Sequence, residues 1–500
     1  MNTALLLDMV ADTWPERVAL SCAGRTLTWR ALREHAAATA RRLREHGARS
    51  LAFLDVNGPA AAVAMYAAAR SGVPYVPLNY RLSRSEIEAL LSRLDAPLIV
   101  GPSRGYEGLA VPAGPGCVDG AALLDHANAD ATPDPHADPD PDAVAVQLFT
   151  SGTTGAPKAA LLRHAHLAAY VLATVEFGSA FEDEATLIAV PPYHVAGIAA
   201  ILTSTYAARR MVILPEFDAA GWLALAAAER VTQAFLVPTM LARIDEQLRH
   251  SGTAPPSTLR AIAYGGGAMP RPVIERAMQH FHAAGFTNAY GLTETSSTIC
   301  LLDPEDHRAA ASSDDPAVRA RLGSVGRPVP AVEVEVRDES GTPLAAGQVG
   351  LVFVRGPQVS GEYRDAGSQL DTDGWFATRD RGWIDPAGYV FLDGRADDVI
   401  VRGGENISPG EIESVLREHP AVADAAVLAV ASEEWGEAIG AVVVLEKAQS
   451  TSAADLKRWV RERLRGSRVP EHVLFRDRLP YNDMGKLQRR ELRREFGGLA

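Results

Sequence analysis

Nine consecutive residues, Thr150-Ser151-Gly152-Thr153-Thr154-Gly155-Ala156-Pro157-Lys158, combine hydroxyls and glycines with a terminal lysine. That mixture suits a polyanion. Glycines let the backbone approach phosphate oxygens, hydroxyls donate to them, and the ammonium balances their charge. The spacing excludes a Walker loop, which needs four residues between its first glycine and Gly-Lys-[Ser/Thr]. Here two residues separate Gly152 from Gly155, proline precedes Lys158, and Ala159 follows it. The stretch therefore reads as a phosphate-binding loop of another kind.

Such a loop must be presented by regular elements. The β-rich run Val144 to Phe149 leads into it, and Ala159 to Leu172 reads as the helix that follows. Other strand patterns also end in chemically equipped loops. Ala185 to Val190 runs into Pro191-Pro192-Tyr193-His194-Val195-Ala196-Gly197, and Leu259 to Ala263 into Tyr264-Gly265-Gly266-Gly267. Phe286 to Ala289 runs into Tyr290-Gly291-Leu292-Thr293-Glu294-Thr295. In open α/β sheets ligands sit at the carboxyl ends of strands, so these loops should converge on one site.

Helical patterns alternate with these strands: Thr28 to His46, the alanine-rich Pro59 to Ser71, and a segment opened by a Ser83–Glu86 capping box. From Gly323 to Leu392 short strands alternate with Gly, Pro and Asp turns. Ser408-Pro409-Gly410-Glu411 reads as a second capping box. The expected fold is α/β, with a large N-terminal domain (residues 1–395) of doubly wound αβ sheets plus a small β-rich subdomain. A smaller, mobile α+β C-terminal domain (residues 396–500) follows a hinge at Asp397.

Bulk properties narrow the partners. A formal charge of −13 argues against nucleic acid, which needs a basic face. Cys22, Cys117 and Cys300 are too few and too scattered for a metal site or disulfide framework, as in a reducing cytosol. No apolar run reaches membrane-spanning length and the first residues lack a basic n-region, so a cytoplasmic protein is expected. Asp125 to Asp142, rich in Asp, Pro and Ala, reads as a surface excursion.

Taken together, the motifs resemble the adenylate-forming superfamily, in its acyl-CoA synthetase and aryl-CoA ligase branch, along essentially the whole chain. The resemblance implies an AMP-forming acid–thiol ligase that uses ATP and Mg²⁺ to activate a carboxylic acid. By it, Thr150, Ser151, Gly152, Thr153, Thr154, Gly155 and Lys158 hold the phosphates that leave as pyrophosphate. Asn288 and Ala289 lead into the second nucleotide motif, where Tyr290 stacks on adenine beside Gly291, Thr293 meets the α-phosphate and Glu294 binds the metal. Gly265, Gly266 and Gly267 form the wall on the other face of the base, and Asp380 and Arg395 serve the ribose. Arg379 stands where the family usually has glycine.

The same resemblance places Lys486, in Met484-Gly485-Lys486, as the cation that completes the adenylation site. His194 gates an acyl pocket shared with Val195, Gly265 and Thr295. Gly403 and Gly404 shape a tunnel for the pantetheine of CoA, while Trp435 and Arg468 hold its nucleotide. Ser467 stands where the family usually has an aromatic residue and Val469 where some aryl ligases have a second basic residue, while Val401 replaces a frequent lysine. The acceptor thus stays open between CoA and a carrier-protein thiol, an amine, or nitrite activation with diazotisation of an aryl amine.

Overall fold

A computed structural model describes residues 1–102, 109–114, 116–125, 140–150, 157–402, 405–432, 435–447, 449–482 and 487–496. Ser151, Gly152, Thr153, Thr154 and Gly155 of the phosphate loop lie outside these residues. So do Gly403, Gly404, Lys486 and most of the Asp-Pro-rich stretch.

Among the described residues the strands form sheets of eight, nine, four and five strands. The first two carry most of the N-terminal mass. Both have a parallel centre; the nine-stranded sheet is antiparallel at both edges, the eight-stranded one at only one, and helices cover them. Their packing follows from composition. The helix Pro59–Ser71 is almost wholly buried, and its alanines let it lie close against Trp29–Glu45, whose Leu32, Ala36, Ala40 and Leu43 face it. Thr28 caps the latter helix by accepting the Ala31 N–H. The Ser83–Glu86 capping box forms as read.

Two local readings are corrected. Strand β1 (Val144–Thr150) is followed by strand β2 (Lys158–Arg163), antiparallel to it, and only then by helix α1 (His164–Thr174). Alanine and leucine favour a helix locally, but pairing with β1 completes a sheet edge, and tertiary context wins. The phosphate loop therefore closes a hairpin. The Ser408 side chain donates to the Asp393 carbonyl and makes no cap, although Pro409 does open the helix Pro409–Arg417 as expected.

The four-stranded sheet spans residues 333–395 and covers one side of the nucleotide motifs. The five-stranded sheet, from Ile400 to Arg476, has its own core of Ile400, Ile407, Ile412, Leu416, Val427 and Val443. Between these two sheets lies a short turn, Ala396–Asp398.

Candidate active site

The site grows from two neighbouring parallel strands, β3 (Ala261–Gly265) and β4 (Gly285–Leu292). Gly265 is dictated by packing: a Cβ there would sit 2.1 Å from the Ala289 carbonyl oxygen. The Asn288 amide donates to the Ser324 carbonyl at 3.0 Å, which fixes the end of β4.

Tyr290, on β4, reaches across to the four-stranded sheet, and its hydroxyl donates to the Asp380 carboxylate at 2.5 Å. Asp380, on β5 (Phe376–Ile384), sits opposite Arg395, on β6 (Val390–Arg395), in the antiparallel register. Their side chains form an ion pair at 3.0 Å. Thr378 closes the network. Its hydroxyl accepts the Asp380 N–H at 3.1 Å, and its carbonyl accepts from Arg395 at 2.9 Å. Burial, then the Asp380 charge, pushes the Tyr290 phenol well above its ordinary pKa, so it remains a hydrogen-bond donor. Three residues read separately in the sequence thus form one preassembled cluster.

Beyond Tyr290 the chain turns through Thr293–Thr295. Thr295 had been expected to line the acyl pocket. It is fully buried, its hydroxyl accepting from Leu292 N and donating to the Ser297 carbonyl, so it pins the turn instead. Val195 likewise packs into the N-terminal core. The turn presents Glu294, whose carbonyl accepts the N–H groups of Ser360 and Gly361 at 2.8 and 3.0 Å. Its carboxylate accepts the Tyr363 hydroxyl at 2.5 Å. Lys158, the first residue of β2, lies with Nζ 5.2 Å from the centroid of the same tyrosine ring. Arg395 feels the charge of Asp380 and Tyr290 first and that of Glu294 after them.

Tyr363 was not singled out in the sequence. A tyrosine in a short β segment looks like packing, and only the pairing of Tyr363 with Ala160 on β2 brings it to the site.

The donors suit magnesium. Among the described residues no group of three or more His, Cys, Asp or Glu side chains forms a cage. A single carboxylate next to a polyphosphate site would suffice for a six-coordinate hard cation that takes its other ligands from substrate phosphate and water.

His194 stands at the amino end of helix α2 (Val195–Tyr206), and its Nδ1 accepts the Ala196 N–H at 3.1 Å. That bond assigns the proton to Nε2. Burial pushes the imidazole down to about 4, so it is neutral at physiological pH and offers an N–H, not a base. Tyr193 beside it meets Tyr80 edge-on at 5.8 Å.

The expected acceptor residues are arranged differently. The Trp435 indole is exposed, with the Arg402 guanidinium 4.7 Å from its centroid. Arg402 also pairs with Glu471 at 2.6 Å. Arg468 is committed to Glu405 and, at 3.2 Å, to Glu411. At the expected hinge, Asp397 lies 3.7 Å from Arg379, whose φ of +64° places it in the left-handed region. The departure from glycine there is tolerated in a conformation that glycine favours.

Comparison with known proteins agrees with this arrangement. Residues 7–364 match the family described as AMP-binding enzyme, and residues 411–486 match the AMP-binding enzyme C-terminal domain. The chain is 34% identical over 494 residues to a feruloyl-CoA synthase from Amycolatopsis sp, covering 97% of this chain and 96% of that one. It superposes on ATP-bound MatB from Rhodopseudomonas palustris with a TM-score of 0.87, 29% identity and full coverage of both chains. The o-succinylbenzoate CoA synthetase of Bacillus subtilis, solved with ATP and magnesium ion, gives a TM-score of 0.82 and 30% identity. That match covers 97% of this chain and 98% of the other.

Proposed function

The chain belongs to the AMP-binding enzyme family, and we propose that it joins an aryl carboxylic acid to CoA. It is an ATP-dependent, AMP-forming acid–CoA ligase that acts through an acyl-adenylate. The observation that carries the reading is the joined cluster of Tyr290, Asp380, Arg395, Glu294 and Lys158, which offers a nucleoside clamp and a phosphate end in one place. The aromatic pair Tyr80 and Tyr193 beside His194 supports an aryl acid, since rings favour offset or edge contacts with one another.

In the first half-reaction a carboxylate oxygen attacks the α-phosphorus of ATP. The bond from that phosphorus to its β-bridging oxygen breaks, and pyrophosphate leaves. Asp380 accepts hydrogen bonds from the ribose hydroxyls, and Arg395 braces Asp380. Lys158 and the loop before it hold the leaving phosphates. Lys486 sets a cation against the charge that builds at the α-phosphate. Glu294 is the residue that would hold Mg²⁺, which when bound would neutralise polyphosphate charge. The neutral His194 donates from Nε2 toward the acyl group. In the second half-reaction the CoA thiol attacks the acyl carbonyl, giving up its proton, and AMP leaves. Gly403, Gly404, Trp435 and Arg468 are assigned to that step.

A pyrophosphate-exchange panel of aryl, fatty and short acids, repeated with CoA, tests this. Exchange strongest with aryl acids and a thioester appearing with CoA is the expected result. Exchange confined to non-aromatic acids refutes the substrate class. An adenylate that CoA does not consume, but a carrier-protein thiol or an amine does, refutes the acceptor.

A further inference from the structure

The carboxylate of Glu294 and the ammonium of Lys158 face opposite parts of one tyrosine. Opposite charges this near each other would ordinarily pair, and a Glu294–Lys158 salt bridge would mask both groups from a polyphosphate and its cation. Among the described residues no such pair forms. The phenol contacts both groups instead, its hydroxyl on the carboxylate and its ring centroid 5.2 Å from the ammonium.

We propose that Tyr363 is a positioning residue for adenylation: a neutral spacer that keeps Glu294 and Lys158 apart and oriented, so that both remain available to the nucleotide. The proposal rests on the reading of Glu294 and Lys158 as the phosphate end of the site.

The tyrosine is held firmly enough for that task. It sits in the segment from Val359 to Arg364, which is tied to both motifs at once. Ser360 N and Gly361 N donate to the Glu294 carbonyl, while the Ser360 hydroxyl donates to the Leu161 carbonyl on β2. Arg364 N donates to the Ala159 carbonyl at 2.9 Å, and Tyr363 pairs with Ala160. Arg163 grips Glu362 through two nitrogens at 2.8 and 2.9 Å. The strap therefore fixes the strand that carries Lys158 relative to the turn that carries Glu294.

The hydroxyl occupies one carboxylate oxygen, Oε1. The other has no hydrogen bond among the described residues, so the carboxylate is oriented while one oxygen stays open to a hard cation.

Two variants separate the parts of this role. Tyr363→Phe keeps the ring and loses the bond to Glu294. Tyr363→Leu loses both and lets Lys158 fall onto Glu294. The direct readout is Mn²⁺ affinity, as a stand-in for Mg²⁺, by electron paramagnetic resonance titration with a non-cleavable α,β-methylene ATP. Tyr363→Phe should weaken Mn²⁺ binding about tenfold, the loss of one hydrogen bond to a charged group. The KM for the acid should stay within about twofold, because no acid contact is removed. Tyr363→Leu should weaken binding further and slow pyrophosphate exchange by roughly 10²-fold, as both charges become masked. In a Glu294→Gln background, where no salt bridge can form, Tyr363→Leu should add little, a non-additivity that a merely structural residue would not produce.

Unchanged Mn²⁺ affinity in Tyr363→Phe overturns the proposal. So does a Tyr363→Leu loss that is fully additive with Glu294→Gln. Should Tyr363→Leu not fold, Tyr363→Phe still decides. The Mn²⁺ titration needs no acid substrate, so it stands even if the acid assigned above is wrong.

Discussion

The nucleotide side and the acceptor side of this protein use the same kinds of residue in opposite states. Around Tyr290 the charged groups support one another: Asp380 holds both Tyr290 and Arg395, and the cluster is complete before any ligand arrives. Around Trp435 the cations are already answered by glutamates. Arg402 pairs with Glu471, and Arg468 with Glu405 and Glu411. A nucleoside at the proposed site would find an acceptor of hydrogen bonds waiting, whereas a CoA phosphate bound by Arg402 or Arg468 as proposed would have to compete with these carboxylates. On the proposed assignment, the difference makes adenylation a matter of preorganisation and thioester formation one of ion-pair exchange.

Breaking the preassembled cluster should have the largest effect. Asp380→Ala removes the ribose acceptor and leaves Arg395 and the Tyr290 hydroxyl without their partner. Pyrophosphate exchange should fall by about 10²-fold or more, with a loss of roughly 2–4 kcal/mol in stability. Denaturant melts and exchange rates check both, and a melt within experimental error of the parent would show that the cluster is not load-sharing.

Acid should distinguish the two regions next. His194 and His164, both in the N-terminal part, are pushed down to about 4 by burial. Their unfolded pKa is near 6.5, so between roughly pH 4 and 6.5 the unfolded chain binds more protons than the folded one. Their stability contribution is therefore complete above pH 6.5 and is lost as pH falls toward 4, by at most about 3 kcal/mol for each. Hydrogen exchange at pH 7.5 and 5 should show the N-terminal sheets losing protection before the C-terminal one. His194→Gln should flatten part of that dependence, and the acid dependence of catalysis near pH 6.5 should owe nothing to His194.

The contact between the regions at Arg379 and Asp397 should matter least. The pair is long, and its side chains are 58% and 42% exposed, which makes it worth at most about 1 kcal/mol. Arg379→Gly also relieves a left-handed backbone but adds chain entropy to the unfolded state, so these terms offset. Stability should change by less than about 1 kcal/mol. A loss above about 2 kcal/mol would make this pair a true clasp between the regions.

The motif residues were legible in the sequence because each carries a distinctive chemical type at fixed spacing: Tyr290 and Glu294 within one stretch, Asp380 and Arg395 in the next. What spacing could not convey was their mutual arrangement, which depends on register between strands far apart in the chain. Tyr363 escaped for that reason, its role arising only from antiparallel pairing with Ala160. Ala159 to Arg163 reads as helix in the sequence because alanine and leucine carry helix propensity, while the β1 edge that recruits these residues is a tertiary fact. Ser408 matched a capping pattern, but its hydroxyl donates to the Asp393 carbonyl and accepts no helix N–H, and Thr295 turned inward to hold its own loop.

The separation of the two sides is tested most directly by measuring both half-reactions in a Lys486→Ala variant. Pyrophosphate exchange should fall by about 10²–10³-fold, since the cation at the α-phosphate is gone. Thioester formation from a supplied acyl-adenylate and CoA should remain within about threefold of the parent, because the acceptor residues are untouched. Equal loss of both half-reactions would contradict the account.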